Sequence, residues 1–207
     1  MSASSSPLQF LDPDARAAIE AEAVIKELPA DLEILREGQY VKVVPIVLDG
    51  LIKVFSRYEE KELLLYYIQP NESCVMSFSA CMSNAPSKVI AVTEEPTTAM
   101  LLPVEKVPGW VAQYPQLNEL FFQQYGTRYS DLLNTIHHVL FNKMDVRLLD
   151  YLREKVTLTG RNPLKMTHRQ IANELGTARE VVSRVMKKLE AEGAVQQQGT
   201  SIHLLQR

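Results

Sequence analysis

Thr167-His-Arg-Gln-Ile-Ala-Asn-Glu-Leu-Gly176-Thr-Ala-Arg-Glu-Val-Val-Ser-Arg-Val-Met-Lys-Lys188 is the stretch on which the fold turns. It reads as two short helices joined at Leu175-Gly176-Thr177. Thr167-x-x-Gln170 and Thr177-x-x-Glu180 both fit a capping box, in which the Thr oxygen accepts an orphan N–H and the Gln or Glu side chain reaches back. Gly176 supplies the permissive backbone of the turn. Ala172 is small where two helices must cross closely, and Ile171, Leu175, Val182 and Val185 supply a shared core. Small residue, glycine and buried aliphatics at these offsets are the signature of a helix-turn-helix.

Arg179, Glu180, Ser183 and Arg184 stand on the open side of the second helix, followed by Lys187 and Lys188. Arginine forks match guanine O6 and N7, and a carboxylate accepts from cytosine N4, while lysines further along neutralise phosphates. Thr167, His168 and Arg169 at the start of the first helix, and Thr177 in the turn, complete the expected contact set. Downstream, Gly193 ends the helix. Val195-Gln-Gln-Gln-Gly-Thr-Ser-Ile-His-Leu-Leu205 then reads as a hairpin turning near Gly199-Thr200, a wing whose Gln198 and Thr200 are expected at the sugar-phosphate backbone.

Upstream, Gly160-Arg-Asn-Pro163 breaks the chain, and Met144 to Val156 reads as an amphipathic helix. Leu117, Phe121, Tyr125, Tyr129, Leu132, Leu133, Ile136, Val139 and Leu140 recur at spacings of three and four after Pro115. A helix of about 25 residues, near 40 Å at 1.5 Å per residue, is long for a small domain and suits a dimer seam. From Gly38 to Leu102 the texture is β-branched: Val41 to Leu48, Leu51 to Phe55, Leu63 to Ile68, Val89 to Val92 and Ala99 to Leu102. Asp49-Gly50 is a strong turn dipeptide between the first two. Short strands at close spacing predict a sandwich or barrel. Pro13 to Leu35 mixes Ala, Glu and isolated apolars in a helical rhythm and is expected to form short helices.

The 207 residues have room for two domains, and the formal net charge of -3 hides an asymmetry. Residues 1–142 carry ten Lys and Arg against eighteen Asp and Glu, whereas residues 143–207 carry twelve against seven. A basic C-terminal part on an acidic body fits a polyanion-binding module. Cys74 and Cys81 form no Cys-x-x-Cys pair, the N-terminus lacks the regions of a signal peptide, and no apolar run reaches the roughly 20 residues of a membrane span. The expectation is a cytoplasmic protein with no membrane partner. No Gly-rich phosphate loop, metal-ligand spacing or nucleophile elbow points to an enzyme or a metal site.

Thr177-Ala-Arg-Glu-Val-Val-Ser-Arg184 resembles the Arg-Glu-Thr-Val-Ser-Arg pattern of the CRP/FNR family of regulators, with Val181 in place of the usual Thr. Val47-Leu-Asp-Gly-Leu-Ile-Lys-Val54 is similar to that family's strand-Gly-strand hairpin, and the long helix to its dimerisation helix. The resemblance implies an α+β fold with an N-terminal β jelly-roll of the cyclic-nucleotide-binding type over residues 1–115. A dimerisation helix follows over 116–142, and a C-terminal winged helix-turn-helix over 143–207. It also implies a homodimer on double-stranded DNA, base reading by Arg179, Glu180 and Arg184, and RNA polymerase as a partner.

The effector segment departs from the cyclic-AMP pattern. Family members that bind the nucleotide use Gly-Glu for the ribose and Arg-Ser for the phosphate, whereas Cys74 to Lys88 contains neither Glu nor Arg. Leu132 and Leu133 fall where polar residues would meet adenine. A cyclic phosphate without matched donors loses charge-assisted hydrogen bonds worth about 1.5–3 kcal/mol each. Cyclic AMP is therefore not expected. The candidate effector pocket is Cys74, Met76, Ser77, Cys81, Ser87, Lys88, Leu132 and Leu133, with the effector unknown and no cofactor expected. Two cysteines cannot supply the four thiolates of an iron-sulfur cluster. Another anion at Ser87 and Lys88, haem through His137 or His138, and a thiol switch at Cys74 and Cys81 stay open. A second functional class also stays open: a ligand- or redox-sensing adaptor whose winged helix serves protein interaction.

Overall fold

A computed structural model of the chain describes residues 7–58, 61–141 and 143–205. Asn142 and the side chains of His137, His138, Val139 and Leu140 lie outside the described part. Two compact units are present: residues 1–56 with 65–131, and residues 57–64 with 132–207.

The first unit opens with helix α1 (Pro13–Glu22), followed by strands β1 (Val24–Leu28), β2 (Glu33–Leu35), β3 (Val43–Asp49), β4 (Ile52–Tyr58) and β5 (Lys61–Ile68), of which the end of β4 and the start of β5 are grouped with the second unit. Helix α2 (Val75–Ser83), strands β6 (Ile90–Thr93) and β7 (Thr97–Pro103), and helix α3 (Val107–Gln113) come next. The strands form two antiparallel sheets, ordered β1-β7-β3 and β2-β6-β4-β5. These two sheets are the sandwich that the β-branched runs predicted, at the place where the family resemblance implies a jelly-roll. Between the sheets lie Leu35, Val47, Ile52, Val54, Ile68 and Ala91. The far face of the three-stranded sheet presents Val44, Ile46, Met100 and Leu102 to Ala15 and Ile19 of α1 and to Trp110 of α3. Leu117 and Phe121, from the long helix α4 (Pro115–Phe141), close the same cluster. Gly50 makes the β3–β4 turn at φ +93°, where a Cβ would fall 2.6 Å from the Pro96 carbonyl oxygen; no other residue fits there.

Two features differ from expectation. Pro13 to Leu35 is helical only to Glu22; Val24–Leu28 pairs antiparallel with β7, and Glu33–Leu35 with β6. Cross-strand pairing, not local rhythm, decides these residues: β1 is an edge strand on which only Leu28 is buried, so it displays no clean alternation. Within the effector segment, Val75–Ser83 forms α2, capped by the Cys74 thiol, which accepts from the Ser77 N–H at 3.4 Å.

The second unit contains α5 (Met144–Thr159), the short strand β8 (Leu164–Lys165), α6 (His168–Glu174), α7 (Arg179–Ala191), β9 (Val195–Gln198) and β10 (Ser201–Leu204). The three strands form one sheet in the order β8-β10-β9. Its core joins Leu148 and Leu152 of α5, Ile171 and Ala172 of α6, Val182, Met186 and Leu189 of α7, and Val195 and Ile202 of the hairpin. Asn162 holds β10 just beyond its pairing with β8, donating to the Leu204 carbonyl and accepting from its N–H, both at 2.9 Å.

Candidate nucleic-acid interface

The start of α6 is built as the sequence predicts. Thr167 Oγ1 accepts from the Gln170 N–H at 3.2 Å, and Gln170 Oε1 accepts from the Thr167 N–H at 2.8 Å. The second capping box does not form. The Thr177 N–H donates to the Ala172 carbonyl at 2.8 Å to close α6, and the chain becomes helical one residue late. Ala178 is therefore the N-cap of α7, with no side-chain cap, and Glu180 sits one position short of the site a box requires. Glu180 still lies in the first turn, where the helix dipole favours a carboxylate. Gly176 carries the turn at φ +63°.

Val182, Val185, Met186 and Leu189 fix α7 by its buried face. The opposite face leaves Arg179, Glu180, Arg184, Lys187 and Lys188 exposed, with Arg169 exposed on α6 and Gln198 and Thr200 exposed at the hairpin tip. Among the described residues Arg169, Arg179, Arg184 and Lys187 take part in no ion pair, so these four side chains keep their charge unneutralised within the fold. Lys188 differs. Its ammonium is held by Asp145 of α5 and approaches Glu192 at 3.7 Å. The hydrogen bond from Lys188, followed by that from the Val146 N–H, holds the Asp145 carboxyl below its ordinary range, and the same contact raises the Lys188 amine.

His168 and Ser183 are brought together: His168 Nδ1 lies 2.9 Å from Ser183 Oγ, and His168 Nε2 lies 2.9 Å from Oε1 of Gln197, a wing residue absent from the expected contact set. A second unforeseen network lies beneath. Glu174 Oε2 accepts from the Tyr151 hydroxyl at 2.7 Å and from Lys155 Nζ at 3.1 Å, with the Lys155 and Glu174 side chains 4% and 8% exposed. Nothing in the periodicity marks either set. Gln197 is the middle of three glutamines, and Lys155 and Glu174 read as surface residues.

The effector candidates are dispersed. Ser77 and Ser87 are buried, and the Ser87 hydroxyl donates to the Val89 carbonyl at 2.9 Å. Met76 is half-buried and Lys88 exposed. The Cys81 thiol, raised by burial and then by the Glu105 charge, donates to the Val104 carbonyl at 3.5 Å. Leu132 and Leu133 belong to the other unit and are exposed. Cys74 and Ser77 line a cavity of about 300 Å³ in the sheet unit, with Leu28, Ile34 and Ile68 among its walls. The sequence reading missed Arg128 of α4, which lies over the Tyr66 ring with its guanidinium carbon 4.6 Å from the centroid and pairs with Glu72 and Asp131.

Residues 146–207 match the Crp-like helix-turn-helix domain. The C-terminal unit holds a Crp-like helix-turn-helix domain. Over the full chain, the CRP-like cAMP-activated global transcriptional regulator of Mycobacterium tuberculosis is 21% identical across 202 residues, which covers 94% of this chain and 89% of that protein. A protein assigned to the CRP/FNR family of transcriptional regulators from Eubacterium rectale superposes with a TM-score of 0.86 at 24% identity, covering 97% of this chain and 94% of that one. The c-di-GMP-responsive global regulator CLP of Xanthomonas campestris superposes at 0.82 with 18% identity, covering 95% and 100%. Sheet domain, long helix and Crp-like domain thus follow in the order of the CRP/FNR fold. No described helix is long and apolar enough to cross a membrane.

Proposed function

We propose that this protein is a sequence-specific, DNA-binding transcription regulator of the CRP/FNR type that grips a pseudo-palindromic operator as a homodimer. The observation that carries the reading is the outer face of α7, where Arg179, Glu180 and Arg184 project from a helix whose other face is locked in the core. A helix so held can enter the major groove and offer two guanidinium forks and one acceptor to base edges. Arg169, Lys187, Gln198 and Thr200 supply phosphate and sugar contacts, which set register and carry no sequence information. Phe122, Tyr129, Leu132, Leu133 and Ile136 are exposed apolars on α4, and a second copy of the same helix covers them in the dimer. Two-fold symmetry then sets two recognition helices about one DNA turn apart.

The effector is other than cyclic AMP, or none. Cys74 to Lys88 offers a cyclic nucleotide neither a carboxylate for its ribose nor a guanidinium for its phosphate, and the nearby Arg128 is already neutralised by Glu72 and Asp131. Selection from a random duplex library, followed by salt titration on the winning sequence, tests the function. Arg184→Ala costs about 1–3 kcal/mol at that sequence and relaxes one base pair in each half-site, while Lys187→Ala weakens all duplexes alike and flattens the salt slope. Absence of duplex binding at low salt refutes the reading and favours a protein-interaction role for the winged helix.

A further inference from the structure

His168 and Ser183 look from the sequence like DNA contacts, but the structure occupies both with a partner inside the fold. His168 opens α6, half-buried, and its ring spans the space between the recognition helix α7 and the wing strand β9. The orientation of each partner can be fixed atom by atom. Gln197 Nε2 donates to the Gly199 carbonyl at 2.7 Å, so the amide oxygen of Gln197 is the atom facing the imidazole. An amide oxygen only accepts, so Nε2 of His168 carries the proton. In the neutral ring Nδ1 is then a bare lone pair, and the Ser183 hydroxyl donates to it. The result is a directional relay: Ser183 O–H to Nδ1, Nε2–H to Gln197 Oε1, and Gln197 Nε2–H to the carbonyl at the wing tip. A second strap runs beside it, with the Gln197 backbone N–H donating to Glu190 Oε1 of α7 at 3.0 Å.

We infer that His168 is a positioning residue: it contacts neither base nor phosphate, but ties the base-reading helix to the wing through Ser183 and Gln197, setting the angle between them before DNA arrives. This rests on the DNA-binding reading of α7 and deepens it. Ser183 is next to Arg184, and the far end of the relay is Gly199, between Gln198 and Thr200. One imidazole therefore couples the residue that reads a base to the residues that grip the backbone. Fixing that angle in the free protein lowers the ordering cost of binding.

The test uses the full chain. Long-range nitrogen-proton NMR on free protein is expected to show His168 as the neutral Nε2–H tautomer, with a pyridine-like Nδ1. Losing one or both hydrogen bonds, each of ordinary net strength, makes His168→Ala and Ser183→Ala exchange the wing amides of residues 197–204 about three- to tenfold faster. Affinity for the selected duplex falls by a similar factor at an unchanged salt slope. The double variant is no worse than His168→Ala alone, because both remove one relay. The inference is overturned if His168→Ala flattens the salt slope by about one with wing exchange unchanged, the mark of a direct phosphate ligand. It is overturned equally if Ser183→Ala alone relaxes base preference, or if the ring is the Nδ1–H tautomer. Should His168→Ala not fold, Ser183→Ala and the wild-type ring spectrum decide. If wild-type protein binds no duplex at all, the DNA-binding reading falls, and the tautomer with the wing exchange still judges the relay.

Discussion

Replacing Glu174 with Ala strands a charge. Lys155 reaches Glu174 from α5 with its ammonium almost wholly out of water, and Tyr151 donates to the same carboxylate oxygen. Removing one member of a buried pair costs about 3–5 kcal/mol, because the survivor keeps its desolvation penalty without its partner. Removing both at similar volume, as in Lys155→Met with Glu174→Leu, takes the penalty away and lands within about 1 kcal/mol of wild type or above it. Hydrogen exchange separates the two units: slow amides of α6 and α7, such as Ile171, Val182 and Leu189, report the Crp-like domain. Trp110, the sole tryptophan, sits in the core of the sheet unit, so its fluorescence serves as a control. At 1.4 kcal/mol per decade, a loss of about 3 kcal/mol speeds the slowest amides by roughly 150-fold in Glu174→Ala, with the tryptophan transition unmoved. A Glu174→Ala effect below about tenfold, or a double variant as unstable as the single one, refutes the stranded-charge argument and puts the energy in packing.

Gly176→Ala forces a Cβ into the left-handed region at φ +63° and lowers the stability of the Crp-like domain by about 1–2 kcal/mol, read as earlier melting of the α6–α7 amides. Leu132→Asp or Ile136→Asp places a charge on the exposed apolar face of α4 and yields monomer in sedimentation; an unchanged dimer puts the seam elsewhere. The Asp145–Lys188 pair makes stability pH-dependent at both ends. The Asp145 carboxyl is held low, so its contribution is present above the unfolded value of about 4 and is lost as pH falls through the lower native one. The Lys188 amine is held high, so its contribution is present below the unfolded value of about 10.4 and is lost as pH rises through the higher native one. Lys188→Met removes both limbs from the melting profile of α5 and α7, and a profile identical to wild type contradicts the pairing.

The fold was legible where one local rule settles the backbone. The runs from Val41 and Leu51 flank Asp49-Gly50, a turn that tolerates no Cβ, and β3 and β4 start within two residues of where they were expected. The long helix likewise shows its face along its whole length, so α4 begins at Pro115. Legibility failed where a partner strand settles it instead. Val24 and Ile25 are more than half exposed, so burial leaves no alternating pattern for a reader to find, and only the register with β7 makes β1 a strand. Helix α2 was hidden for a different reason: its cap is a thiol, a weak acceptor that does not announce a helix start as Ser, Thr, Asp or Asn would.

At the interface the sequence tells which side chains share the open face of α7 but not which of them the fold has already engaged. Arg184, Lys187, Lys188 and Ser183 are equals on a helical projection. In three dimensions Arg184 and Lys187 are free of ion pairs among the described residues, Lys188 is anchored to Asp145 forty-three positions away, and Ser183 Oγ lies 2.9 Å from His168 Nδ1. The same limit explains Thr177, which fits a capping box by spacing while its N–H is needed to close α6, so the helix begins after Ala178 instead. Each outcome depends on a long-range or competing hydrogen bond that periodicity does not encode. Residue type and spacing therefore nominate contacts, and the internal hydrogen bonds separate the side chains that stay exposed, Arg179, Glu180, Arg184, Arg169 and Lys187, from those the fold has already engaged.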